Sequence, residues 1–502
     1  MEKKPVCNTN LSNLLYAKFQ LIAIIVLSIS CNPSSKKELN LYQETYRPQL
    51  HFSPEKKWMN DPNGLVYFDG EYHLCFQYNP YGDTWGHMSW GHAVSNDLLH
   101  WKHLPIAIEE YQDPATGDST MIFSGTAVID KNNTAGFGAN AMVAIYTSHV
   151  HKNNQAVTQH QSLAYSTDKG RSWKRYDKNP ILDIQRKDFR DPKVFWYEPQ
   201  QKWVMVLVVP DLYKVQFYSS TNLKEWKLIS EFGDAGDRNR IWECPDLYEL
   251  PIENENKTKW VLSLSGSHPA GPKFVGMQYF VGDFDGTTFQ ADDTTAHYVD
   301  YGKEFYAGII FNNLDKKIML GWLNNWTYGN QIPTSPWRGA FSLPREISLK
   351  KSNGKFVLIQ QPLESITQLR KEELKTLENI TEPIELEVEL QKSDGGIKLQ
   401  TTDGDELMIG YDATSHQLFI DRSKAGLIDF QKDFGSIEKA MVTSENTITV
   451  QVFIDHSIVE VFANGGEITF GEQFFFKSKS FNIKTFGKAT IKNSWLLKSI
   501  WK

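Results

Sequence analysis

Short apolar runs, each closed by Gly, Pro, Asn or Asp, follow one another through most of this chain. Leu65-Val66-Tyr67-Phe68 turns through Asp69-Gly70 into Glu71-Tyr72-His73-Leu74-Cys75-Phe76-Gln77. Val194-Phe195-Trp196-Tyr197 is followed by a polar break and then by Trp203-Val204-Met205-Val206-Leu207-Val208-Val209. Runs of this length, rich in β-branched and aromatic residues and bounded by turn formers, predict strands joined by hairpins. Long stretches of helical period are nearly absent, so the pattern predicts an all-β chain.

The pattern also repeats. A token of Ser, five or six mostly polar residues and Trp occurs at Ser95–Trp101, Ser166–Trp173 and Ser220–Trp226. A degenerate copy runs from Gly282 to Phe289. Each reads as a hairpin turn whose aromatic residue packs between sheets, which assigns Trp101, Trp173 and Trp226 to packing. In step with it, strand entrances with a polar residue at the mouth occur at Asp61, Ser124, Asp191, Glu243 and Tyr306, spaced by 63, 67, 52 and 63 residues. Five units of four strands, none able to bury its faces alone, predict a five-bladed β-propeller over residues 49–347. Its innermost strands would gather the five entrance residues around one axis.

Beyond the propeller, residues 348–382 are expected to link, with a short helix carrying Leu363, Ile366, Leu369, Leu374 and Leu377. From residue 383 to 502 the chain alternates apolar and polar positions, as in Ile384–Leu390 and Thr447–Ile454. With turns expected at Asp394-Gly395-Gly396 and Asn464-Gly465-Gly466, this predicts a C-terminal β-sandwich.

The first 31 residues are different. Lys3, Lys4 and Lys18 precede the apolar run Leu21–Leu27 and then Ser28-Ile29-Ser30-Cys31. The run suits a signal segment better than a spanning helix. Its end resembles a bacterial lipobox, although Leu27 stands four residues before the cysteine, one more than usual. Cys31 is therefore the expected lipidation site, with residues 32–48 as a tether. Ordinary cleavage and an uncleaved anchor are the alternatives. The implied location is the cell envelope, on either face. Apart from Cys7 and Cys31 in this segment, only Cys75 and Cys244 occur, so neither a disulfide framework nor zinc-type spacing is present. The formal charge of −7 comes without a large basic block, which excludes nucleic acid as a natural partner.

Three of the five entrances carry carboxylates: Asp61 in Asn60-Asp61-Pro62, Asp191 in Arg190-Asp191-Pro192 and Glu243 in Trp242-Glu243-Cys244-Pro245-Asp246. Singly each could be a turn acid. Gathered at one mouth, like charges repel and raise at least one pKa, giving a protonated acid beside an ionised one. That division of labour is what glycoside cleavage requires. Trp58, Trp85, Trp90, Trp242, Trp326 and Trp337 lie near the same entrances, and flat aromatic faces beside carboxylates suit a sugar ring.

With these motifs in hand, the chain resembles glycoside hydrolase family 32, which includes levanases, exo-inulinases and invertases. The resemblance rests on Trp58–Gly64, Phe76–Pro80, Trp90–Ala93, Phe123–Gly125, Arg190–Lys193, Trp242–Asp246, Pro333–Gly339 and, near the C-terminus, Asp455–Phe462. It implies a retaining β-fructosidase with Asp61 as nucleophile, Glu243 as acid and base, and Asp191 supporting the transition state. It further implies a pocket lined by Asn60, Gln77, Trp85, Phe123, Ser124, Arg190 and Trp326, with Trp58 beside them. No cofactor or metal is implied; the expected partner is a β-fructan or sucrose-type carbohydrate. Glu304 stands where relatives more often have Asp, which is expected to alter contacts at the rim. Exo action is expected, with endo-acting levanase as the alternative. Outside this family stand an inverting pentosidase of similar architecture, a glycan-binding surface lipoprotein without catalysis, and a scaffold for protein partners.

Overall fold

Five β-sheets stand around one axis, and each begins with the strand nearest that axis: Lys57–Phe68, Ser119–Asp130, Arg190–Tyr197, Glu243–Pro251 and Phe305–Ile310. The computed structural model describes residues 41–266, 275–352, 354–443 and 447–501. The innermost strands touch in a closed ring, one to two, two to three, three to four, four to five and five to one. The signal segment, Cys31 and residues 32–40 lie outside the described residues.

Continuous apolar runs make sense in this arrangement. In Lys202–Val209, the side chains of Val204, Val206 and Val208 pack with Leu247, Leu262 and Leu264 of the fourth blade. The intervening Trp203, Met205 and Leu207 pack with Val128, Val143 and Ile145 of the second. Successive residues point to opposite faces, so a strand clamped between two blades must be apolar throughout. Each such side chain contributes about 1.5–3 kcal/mol by leaving water. A charge at Val206 would meet hydrocarbon with no partner.

The repeated token is the turn from third to fourth strand in blades one to four. Ser95, Ser166 and Ser220 each accept the backbone N–H of the residue two further on. The indole Nε1–H groups of Trp101 and Trp226 close their turns on the carbonyls of Leu98 and Leu223. Blade five lacks the token. Instead, residues 324–344 separate its second and third strands, and Trp337–Arg338 within them pairs with Lys57–Trp58 of blade one. That pairing ties the last blade to the first.

Blade five also runs further than expected. Its outer strands are Arg345–Ser352 and Lys355–Pro362, so the propeller reaches Pro362, not Ile347. The expected linking helix is a 3₁₀ turn, Glu364–Leu369, followed by the strand Arg370–Glu373. That strand pairs with the long Asn482–Leu497, which captures the chain before the helix can extend to Leu374 and Leu377. Residues 41–48, expected within a tether, are packed as well. Tyr42 stacks on Trp501 at 4.0 Å, and Arg47 is fully buried against Glu44 and Ser53.

In the sandwich, Ile384–Gln400 is one strand of 17 residues that runs through the expected turn at Asp394-Gly395-Gly396. It pairs first with Ile448–Ile454 and then with Glu406–Asp412, changing sheets at an irregular step between Leu390 and Gly395. A side chain at Gly396 would come within 2.1 Å of the Ile409 carbonyl. These glycines permit close backbone approach at a corner between layers. The turn at Asn464-Gly465-Gly466 does form, between Ile458–Ala463 and Ile468–Gln473.

Propeller and sandwich meet over buried charge as well as apolar surface. His51 lies between Asp455 at 2.8 Å and Glu460 at 3.0 Å. Arg345 spans Asp300 at 2.7 Å and Glu460 at 2.5 Å. Glu304, expected at the rim, is wholly buried and holds Arg422 of the sandwich at 2.8 Å. The extra methylene of Glu over Asp therefore bears on contact between domains. The two carboxylates hold the His51 imidazolium against the cost of burial and raise its pKa to about 9. Stability from this group is full below about pH 6.5 and is lost as pH rises through about 9, a change of order 3 kcal/mol. Thermal unfolding across pH 6–10 should show this alkaline decline in the wild-type protein. His51→Gln should melt lower at pH 6 and lose the decline; parallel curves for the two would exclude the assignment.

Candidate active site

Each innermost strand breaks register with its neighbour near the mouth, between Met59 and Pro62, Ile122 and Gly125, Arg190 and Lys193, Glu243 and Asp246, and Tyr306 and Ile309. A bulge turns a side chain out of the alternating pattern and re-aims it. Five bulges at equivalent places thus deliver Asp61, Ser124, Asp191, Glu243 and Tyr306 to one cavity of about 760 Å³. The backbone takes a left-handed conformation at Asp191 (φ 62°), Cys244 (φ 46°) and Ala307 (φ 52°). Side-chain-bearing residues occupy that region at a cost of order 1–3 kcal/mol, which the surrounding sheets must hold in place.

The three carboxylates sit in three environments. Asp61 is buried and, among the described residues, bonded only to neutral donors: Ser124 Oγ at 2.6 Å, Asn60 Nδ2 at 3.0 Å and the Cys244 thiol at 3.5 Å. Burial lifts its pKa, the Ser124 and Asn60 bonds oppose the rise, and Glu243 adds to it. Asp191 is equally buried. Its Oδ2 accepts the Cys244 backbone N–H at 3.0 Å and lies 3.7 Å from Arg190 Nε. Its pKa is also raised, by burial first, with Glu243 and Asp61 contributing and Arg190 opposing. Glu243 is the open one, its side chain 24 % exposed. It accepts Arg190 Nη2 at 3.0 Å on one oxygen and the Tyr306 hydroxyl on the other.

Supporting groups fix these positions. Thr147 Oγ1 accepts the Asp191 N–H at 3.0 Å, and Gln77 Nε2 donates to Asn63 Oδ1 at 2.7 Å and to the Ile122 carbonyl at 3.0 Å. Below the carboxylates the axis is plugged. Lys193 and Asp246 pair at 2.9 Å, and Asn312 Nδ2 donates to Thr126, Ala127 and Val194. The cavity is therefore closed at its floor.

Of the expected pocket residues, Asn60, Gln77, Trp85, Phe123, Ser124, Arg190 and Trp326 line the cavity. Trp58 does not: it is fully buried, and its indole N–H holds Asn60 Oδ1 at 2.7 Å. Trp90, Trp242 and Trp337 are likewise buried, as packing and not as sugar platforms. His149, Gln159, Asp188, Tyr213, Asn239, Arg240, Ile241 and Asn330 also line the cavity. They come from second and third strands, a 3₁₀ turn and loops, where sequence carries no mark of which side chains turn toward the axis. Asn330 had a signal of a kind in its closeness to Trp326.

The comparisons with known proteins agree with this geometry. Residues 51–362 match the model described as glycosyl hydrolases family 32 N-terminal domain, and residues 352–501 match the family 32 C-terminal model. The chain belongs to glycoside hydrolase family 32. It is 42 % identical to a levanase of Bacillus subtilis over 482 residues, covering 89 % of this chain and 68 % of the relative. It is 40 % identical to an extracellular exo-inulinase of Aspergillus awamori over 486 residues, covering 86 % and 90 %. The crystal structure of exo-inulinase from Aspergillus awamori superposes with a TM-score of 0.84 at 38 % identity, covering 92 % of this chain and all of that one. A β-fructofuranosidase from Schwanniomyces occidentalis complexed with fructosyl-erythritol superposes with a TM-score of 0.80 at 33 % identity, covering 91 % and 98 %.

In this family 32 chain the sandwich also braces the segment behind the site. Arg422 Nη2 donates to the Tyr328 hydroxyl at 2.8 Å, and that hydroxyl bonds Glu304. Tyr328 belongs to the segment that carries Trp326 and Asn330 to the cavity. Arg422→Met would leave Glu304 and Glu472 buried without their cation, at a cost of about 3–5 kcal/mol. Chemical unfolding should register that loss, together with a lower kcat/KM, because Trp326 loses its support. Unchanged stability would show that Arg422 is not the tie between domains.

Proposed function

We propose that this protein is a retaining β-fructosidase that releases fructose from the ends of β-fructans and related fructosides. The observation that carries the reading is the difference among the three carboxylates at one mouth. Asp61, buried and, among the described residues, bonded to neutral donors, is a desolvated nucleophile suited to attack the anomeric C2. Glu243, partly exposed and open to water, is placed to give a proton to the leaving oxygen and later to take one from the attacking water. Asp191, held from two sides, stays fixed to bind ring hydroxyls and support positive charge as the glycosidic bond breaks. Tyr306 and Arg190 orient Glu243 for both halves of the cycle. The plugged floor supports exo action, since a dead-end pocket receives a chain terminus. The relatives named as levanase and exo-inulinase support β-fructan as the substrate class. We also propose that Cys31 carries a lipid anchor at the cell envelope, the reading that its lipobox-like context supports.

Incubation with levan, inulin and sucrose should yield fructose as the first and main fructan product; a ladder of oligomers would indicate endo action. Asp61→Asn should abolish turnover. The same change should leave Tm at pH 7 equal or higher: a raised carboxyl pKa means stability lost as pH rises through it, and the neutral amide removes that loss. Glu243→Gln should keep partial rate on substrates whose leaving group needs no proton, and azide should restore activity by attacking the fructosyl intermediate. Asp191→Asn should lower the rate on all substrates without azide rescue. Azide rescue of Asp61→Asn and not of Glu243→Gln would exchange the two roles. Cys31→Ala should move the protein from the membrane fraction to the soluble one; retention in the membrane would refute the lipid anchor.

A further inference from the structure

Aromatic rings line one wall of the cavity in a row. Trp85 and Phe123 stand 6.0 Å apart edge to face, and Phe123 stacks on His149 at 4.3 Å and 13°. His149 then meets His151 edge-on at 4.5 Å and 88°. Phe123 lies on the innermost strand of blade two, Ser119–Asp130, and both histidines lie on the next strand out, Ala141–Lys152. The row therefore leads away from the axis.

The protonation of His149 follows from its neighbours. Gln159 Oε1 accepts the Phe189 N–H at 2.9 Å and Arg190 Nη1 at 3.3 Å, which fixes the direction of that amide. Its Nε2 must then donate to His149 Nδ1, 3.0 Å away. With Nδ1 as acceptor, the ring proton of neutral His149 resides on Nε2. Burial, together with His151, Arg190 and Lys187, pushes the imidazole pKa down to about 3, so the ring stays neutral under working conditions. His149 lines the cavity, and among the described residues its Nε2–H has no partner.

We propose that this row of rings binds the sugar unit next to the cleaved linkage, and that His149 recognises that unit by donating its Nε2–H to a hydroxyl. The proposal rests on the β-fructosidase reading and adds to it a specificity-determining residue. Asp61, Ser124, Asp191 and Gln77 hold the terminal unit over the axis. A donor one strand further out meets what lies beyond it. Trp85, the exposed ring of the row, supplies apolar contact for the same unit, and a neutral donor keeps this preference free of the charge that governs the carboxylates. Gln159 is the positioning residue, because it sets which nitrogen carries the proton.

The test compares two kinds of substrate in the same full-length protein. Methyl β-fructofuranoside has no sugar on the leaving side; β-2,1- and β-2,6-linked fructotrioses do. His149→Phe keeps the ring and removes the donor. It should lower kcat/KM on the trioses roughly tenfold more than on the methyl fructoside, chiefly through KM, which is the worth of one hydrogen bond. His149→Ala should widen that gap. Gln159→Glu offers Nδ1 an acceptor, so ¹⁵N NMR should show the proton moved to Nδ1, where the wild-type protein carries it on Nε2. Equal losses on both kinds of substrate, or none on either, would overturn the proposal. Failure of the wild-type protein to release fructose from any of them would overturn the underlying reading, and this proposal with it.

Discussion

The guanidinium of Arg190 is the interaction on which the site depends. Three carboxylates are packed at one mouth, and for two of them, Asp61 and Asp191, burial and the nearby charge of Glu243 both oppose ionisation. Among the described residues Arg190 is the cation paired with these acids, and it reaches Glu243, Asp191 and Asp188 while touching Gln159. It therefore does two things at once. It offsets the charge, and it fixes the direction in which Glu243 and the Gln159 amide point. Asp61 lies outside its reach and, among the described residues, keeps only neutral partners, which is why three acids of similar chemistry are not equivalent.

A comparable economy holds the domains together. Among the described residues the sandwich lines no part of the cavity, yet Arg422, Glu460 and Asp455 from it are matched against Glu304, Arg345 and His51 of the propeller. Pairs buried to this degree gain little net stability against well-packed hydrocarbon, but breaking one leaves an uncompensated charge. They specify one docking geometry. Through Tyr328 that geometry is passed to the segment bearing Trp326, so the sandwich braces the site without touching substrate.

Much of this was legible beforehand because propeller blades repeat. The token at Ser95, Ser166 and Ser220 marks the same turn each time, and the spacing of Asp61, Ser124, Asp191 and Glu243 counts blades. Where the repeat lapses, the reading failed. Blade five has no token, and its last strands were assigned to a linker. Leu363 to Leu377 has helical spacing, but sheet pairing with Asn482–Leu497 overrode it. Gly395 and Gly396 look like a turn and are a corner, since a glycine needed for close approach is indistinguishable in sequence from one needed for positive φ.

The sequence by itself determined the all-β class, the number of blades and which acids stand at strand entrances. Each of these follows from local chemistry: alternation, turn residues and motifs whose members are neighbours along the chain. Tertiary structure alone decided that Trp58 sits behind Asn60 and outside the pocket, that Glu304 pairs with Arg422, and that His149 faces the cavity with its proton on Nε2. Those facts depend on partners separated by two to more than one hundred residues and on the direction of a bulge or an amide. No local pattern encodes a direction that only packing sets.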